Sequence, residues 1–146
     1  MQYVDNNLLQ GEEVVYRAKL HHIIFLLPAA IAILGLALAI YVPSGYIAIV
    51  SVALAILVAL PRFIRYVTSE FAVTNKRVIV KVGLMNRHTL ELVLAKVETI
   101  GIDQSIIGRI FNYGTIIVTG TGGTHEPFKD IANPLGFRKQ VQSQLS

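Results

Sequence analysis

The chain has no cysteine and no tryptophan, and it is poor in charge: only 15% of its 146 residues are Asp, Glu, Lys or Arg, against about 25% in ordinary soluble domains. Without cysteine there is no disulfide framework, no thiol nucleophile and no thiolate metal site. Low net charge combined with 53% hydrophobic residues excludes disorder, which needs few apolar residues and much charge. The mean hydropathy of +0.58 is high for a soluble domain. The length allows one ordinary domain, or a small domain carrying a membrane anchor.

Where charge is missing decides between these. Residues 20–61 contain no Asp, Glu, Lys or Arg. Residues 1–19 carry Arg17 and Lys19 against Asp5, Glu12 and Glu13, a net of −1, and residues 62–146 carry a net of +5. Residues 23–42 form an unbroken uncharged run, and at ~1.5 Å per residue twenty helical residues span about 30 Å, a bilayer core. Pro43, Ser44 and Gly45 read as a turn. A second uncharged run, residues 46–60, is extended by Pro61 to Val67, where Arg62 and Arg65 can snorkel to headgroups. The expectation is a transmembrane helical hairpin over residues 21–67, with spans at about 22–42 and 46–66. A signal peptide fits less well, because the region before the first run is long and net acidic and a second run follows at once. A buried soluble hairpin fits worse, because the remaining chain is too short to cover two helices apolar on every face. Basic residues flank both outer ends and none lies in the turn, so both termini are expected in the cytoplasm, with the protein multi-pass in the inner membrane. His21 and His22 then mark the interface; as metal ligands they lack a third partner at useful spacing. With no ionisable group inside, the hairpin reads as an anchor rather than a proton or ion path.

The segment at 1–20 is expected as a separate cytoplasmic stretch, and 68–146 as a cytoplasmic domain. Alternating Phe71, Val73, Val78, Val80 and Val82 around Thr74 to Arg77 predict a hairpin with its tip at Asn75 and Lys76. Gly83 ends its second strand. Leu90, Leu92 and Leu94 give one apolar strand face, and a further strand is expected over 97–102, with Gly101 marking a bulge or close approach. Residues 105–111 predict one helical turn that drops Ile106, Ile107 and Ile110 onto the core. Residues 115–121 read as a β-branched strand, 120–124 as a turn, and a short strand follows near 125–128. Asn133 and Pro134 open a final helix with Phe137, Val141 and Leu145 on one stripe. The fold class is α+β: a transmembrane hairpin, then an antiparallel sheet of about six or seven strands, closed or nearly closed into a barrel, capped by a C-terminal helix.

Several stretches together resemble the bacterial pleckstrin-homology-like family of small membrane-anchored proteins. They are Gly11-Glu12-Glu13-Val14, the paired apolar runs, residues 70–79, Val82-Gly83, Gln104 to Arg109, Tyr113-Gly114-Thr115-Ile116, and Asn133-Pro134. The resemblance implies a seven-stranded pleckstrin-homology-like barrel with a C-terminal helix, and no particular activity.

Candidate contacts to anionic lipid are Arg62, Arg65, Lys76, Arg77 and Lys81. In eukaryotic pleckstrin-homology domains basic residues near the first hairpin can hold phosphorylated headgroups, and Lys76 and Arg77 are similar in position. Each basic residue close to an anionic surface contributes about 1 kcal/mol. The plainer reading is a polar hairpin tip. Gly120 to Gly123 lacks the lysine and hydroxyl of a phosphate loop, and His125 stands where the dinucleotide fingerprint needs its third glycine. His88 and His125 are isolated, and Glu91, Glu98, Asp103 and Asp130 are scattered, so no metal, cofactor or catalytic group is expected. Basic residues are not interleaved with stacking aromatics, so nucleic acid is not expected either. The expected function is an interaction or scaffold module at the inner leaflet that binds a protein partner or its own copies. The alternatives are a sensor of anionic headgroups and an accessory subunit packed through Ala30, Gly35, Ala39, Ser51, Ala55 and Ala59.

Overall fold

A computed structural model of the protein describes residues 2–42, 45–84 and 88–146. Two of the three expected turn residues, Pro43 and Ser44, lie outside these. The chain forms two compact units, one from residues 1–21 with 68–146, the other from residues 22–67.

The second unit is helical. A 3₁₀ turn, His22–Phe25, runs into α2, Leu26–Tyr41, and α3 spans Gly45–Thr68. Taken with the turn that leads into α2, His22–Tyr41 is long and apolar enough to cross a membrane, and so is Gly45–Thr68. Pro61 lies inside α3, which nonetheless continues to Thr68. The helices pack through their small residues: Ser51 and Ala55 are buried, and a Cβ built on Gly35 falls 2.0 Å from that of Ser51. These small residues therefore serve the hairpin's own contact, and most large side chains, such as Leu34, Ile40, Ile56 and Leu57, point outward. His22 and Phe25 both lie against Tyr66.

The first unit is a β domain. A short helix, α1 (Gln2–Asn6), precedes β1 (Val14–Ala18). After the helical unit come β2 (Glu70–Thr74), β3 (Arg77–Val82), β4 (His88–Val93), β5 (Val97–Asp103), α4 (Ile106–Ile110), β6 (Tyr113–Gly120), β7 (Thr124–Ala132) and α5 (Pro134–Leu145). All pairings are antiparallel, in a four-stranded sheet β1-β2-β3-β4 and a three-stranded sheet β5-β6-β7. Phe71, Val73, Val78, Val80, Ile116, Val118 and Phe128 are buried in the core, and α5 adds Phe137 and Val141.

Five expectations need correcting. First, among the described residues the strands do not close into a barrel; besides the two ladders, one isolated bridge, Leu20 to Ile131, joins the chain after β1 to β7. Second, residues 1–20 are not a separate stretch. They supply β1 and a strap over the outer face of the first sheet, where Val4 packs on Ala72 and Ile79 with Tyr3, Leu8 and Val14 around it. This explains why every residue of β2 is buried: both faces of the strand are covered. Third, Ile106, Ile107 and Ile110 do not enter the core; they are 78%, 56% and 72% exposed. The residue of α4 that faces inward is Gly108, where a Cβ would come within 2.7 Å of the Tyr113 carbonyl. Fourth, the ladder irregularity lies between Val97 and Thr99, not at Gly101. Fifth, Leu145, expected on the buried stripe of α5, is 44% exposed.

Candidate functional site

The basic hairpin is the site to which sequence reasoning points. Its tip is tightly turned. The Thr74 hydroxyl accepts from the backbone N–H groups of Lys76 and Arg77 at 3.1 and 2.9 Å. Asn75 ties the tip to the strap: its Oδ1 accepts from Glu13 N–H at 3.0 Å, and its Nδ2 donates to the Gly11 carbonyl at 3.2 Å.

Alternation along β3 places Arg77, Ile79 and Lys81 on one face, the face covered by the strap. Arg77 is consequently held inside the domain, its side chain 11% exposed. Its Nε and Nη2 donate to Glu12 at 2.9 and 3.0 Å. Its Nη1 donates to Glu91 at 2.5 Å, and Nη2 also to the Asn7 carbonyl at 2.5 Å. Lys81 stands 5.0 Å from the centre of the Tyr3 ring, a cation–π contact, opposite Glu70 in the ladder. Lys76 lies at the exposed tip and donates to the Gln10 carbonyl at 2.7 Å. Arg62 and Arg65 belong to α3; Arg62 donates back along the helix to the Val58 carbonyl at 2.8 Å. The structure thus brings Lys76, Arg77 and Lys81 together on one hairpin, with the latter two turned towards the strap.

The carboxylates that meet them were missed by sequence reasoning. Glu12 is buried: burial favours its neutral form, but Arg77, the Leu9 N–H and the Thr74 hydroxyl outweigh that and lower its pKa to about 2. Arg77 is correspondingly raised, chiefly by Glu12. Glu70 accepts from the Tyr3 and Val4 N–H groups at 3.2 and 3.0 Å, closing the first turn of α1. Burial opposes its ionisation, yet these bonds leave its pKa lowered. Asp5 pairs with Arg17. The legible signal was Glu12-Glu13 before a short alternating strand, together with the unbroken apolar run Val78-Ile79-Val80, which demands cover on both faces.

The hairpin tip and the exits to the helical unit lie at opposite ends of the β domain. Ala18 pairs with Phe71 and Val14 with Thr74, so the chain leaves after His21 and returns at Thr68 at one end. Asn75 and Lys76 lie at the other, about 20 Å away at ~3.3 Å per residue. The Gly120 to Gly123 segment is a turn, as expected, closed by Gly123 N–H to the Gly120 carbonyl at 3.2 Å. His88 pairs with Glu126 and His125 with Thr119. Among the described residues no three His, Asp or Glu side chains are grouped to hold a metal.

A two-sheet antiparallel β domain with a C-terminal helix, interrupted by two apolar helices, agrees with the family comparison: the Bacterial PH domain family matches residues 23–145. The chain belongs to the bacterial PH domain family. The match includes both apolar helices and everything from β2 to α5, and begins after β1. PH-like domains are generally non-catalytic interaction modules. No curated protein and no solved structure matches the chain.

Proposed function

We propose that this protein is a membrane-anchored PH-like scaffold at the inner leaflet of a bacterial membrane, which binds a protein partner or a second copy of itself. The observation that carries this is topological. The apolar hairpin is inserted between β1 and β2, which are hydrogen-bonded neighbours. The β domain is thereby joined to the hairpin at two points, after β1 and before β2. Outward-facing Leu, Ile and Val side chains on α2 and α3 suit acyl chains. Tyr41 and Tyr46 at one end and Tyr66 at the other suit the two interfaces. Arg17 and Lys19 before the hairpin, and Arg62 and Arg65 at its end, favour cytoplasmic termini.

The choice of a protein partner over a headgroup rests on the hairpin. Arg77 and Lys81 are engaged by Glu12, Glu91, Tyr3 and Glu70, and Lys76 lies at the end away from the exits. By contrast, among the described residues β4 and β5 each have a neighbour on only one side, which leaves strand edges suited to β-augmentation. The test is purification in lipid nanodiscs with mass measurement of the intact particle. A dimer, or a stoichiometric complex with one protein, is expected; a monomer with nothing bound contradicts the proposal.

A further inference from the structure

The apolar face of α4 is the largest feature of the β domain that the scaffold reading leaves unused. Ile106, Ile107, Ile110 and Phe111 are all more than half exposed, within a single turn and its exit. Burying them offers a large gain that water does not supply.

Their place in the domain says what covers them. Gln104 donates to the Tyr113 carbonyl at 3.0 Å, and Gly108 packs on the same carbonyl, so α4 is fastened to the start of β6. The Tyr113 ring stacks on His21, 5.2 Å between centres, and His21 N–H donates to the Asp130 carbonyl at 2.6 Å. His21 is the last residue of the β domain before the first apolar helix. The exposed isoleucines therefore sit at the end from which the chain departs towards its two membrane-length helices.

We infer that the Ile106, Ile107, Ile110 and Phe111 face inserts into the headgroup–acyl boundary, as a second membrane contact beside the hairpin. This rests on the reading that the hairpin spans the bilayer. The force is apolar, not electrostatic: the contact face is Ile106, Ile107, Ile110 and Phe111, and the Ser105 that caps α4 shares a pocket with Asp103 and Asp130, which do not attract anionic headgroups. Insertion makes the domain stand in one orientation on the leaflet, with the Lys76 tip and the Thr121 turn facing the cytoplasm.

The absence of tryptophan makes the test direct. Single-tryptophan full-length chains, Phe111→Trp, Leu54→Trp on α3 and Thr121→Trp at the far end, are placed in vesicles containing phosphatidylcholines brominated both near the headgroup end and near the middle of their acyl chains. Blue-shifted emission and strong quenching are expected for Phe111→Trp and for Leu54→Trp, with neither for Thr121→Trp. Quenching of Leu54→Trp without quenching of Phe111→Trp overturns the inference and leaves the hairpin reading standing. A blue-shifted but unquenched Phe111→Trp points to burial against protein, such as a second copy, and also overturns it. No quenching at either position rejects both.

Discussion

Glu12→Gln removes one charge from the centre of the strap and leaves its shape unchanged. The amide oxygen can still accept from Leu9 N–H, so the loss centres on Arg77. Glu12 is fully buried at its side chain and Arg77 nearly so, and removing one partner of a buried pair costs about 3–5 kcal/mol. Glu91 and the Asn7 carbonyl remain on Arg77, which favours the lower end. The same contacts lower the Glu12 pKa from 4.5 to about 2, which at 1.36 kcal/mol per pKa unit is of the same order, about 3 kcal/mol. The sign follows from the direction. A carboxylate with a lowered folded pKa contributes fully above pH 4.5, and that contribution disappears as the pH falls towards 2. For a domain of this size 1 kcal/mol moves Tm by about 4–8 °C, so a loss of about 3 kcal/mol in Glu12→Gln is expected to lower Tm by roughly 12–24 °C at pH 7. The assay is thermal unfolding of the full chain in nanodiscs, followed by near-ultraviolet tyrosine circular dichroism from pH 7 to pH 2.5. Wild type and variant are expected to converge at the acid end, while Glu70 and Asp5 give both the same residual acid sensitivity. Equal Tm at pH 7, or a gap that does not narrow in acid, refutes the reasoning.

Other consequences follow from the same structure. Replacing residues 22–67 by a short glycine–serine linker is expected to leave a folded, water-soluble β domain, because Ala18 and Phe71 are already paired. Residues 68–146 alone, lacking β1 and the strap, are expected to show no cooperative unfolding transition. Phe137→Ala, at a fully buried position edge-on to Tyr16, is expected to cost about 3–5 kcal/mol, read as a loss of unfolding temperature. Gly35→Val forces the helices apart at Ser51 and is expected to weaken the hairpin by about 1–3 kcal/mol, measured by steric trapping or by unfolding in detergent. Lys76→Glu is expected to leave the anionic lipid that co-purifies with the protein unchanged, measured by mass spectrometry; a marked drop revives headgroup sensing.

The parts of the fold legible in the sequence are those with local causes. The charge-free runs mark α2 and α3, alternation marks the β2–β3 hairpin, and Asn133-Pro134 marks the start of α5, where Asn133 accepts from Gly136 N–H at 3.2 Å. The strap was illegible because its partners lie more than sixty residues away: Glu12 meets Arg77, and Tyr3 and Val4 meet Glu70. Reading Arg77 as a free cation followed from seeing only its neighbours in sequence. The isoleucines of α4 misled for a different reason. Hydrophobicity says that a residue avoids water but not whether protein or lipid replaces it, and Gly108, with no side chain, took the inward position.

Single-cysteine accessibility in intact bacteria tests membrane placement most directly, since the native chain has no cysteine to interfere. A membrane-impermeant maleimide is expected to label Ser44→Cys from outside. Thr121→Cys and Ser146→Cys are expected to react only after the membrane is opened. Labelling of Thr121→Cys in intact cells, or recovery of an unlabelled Ser44→Cys chain in the soluble fraction, contradicts a hairpin that anchors the β domain at the cytoplasmic face.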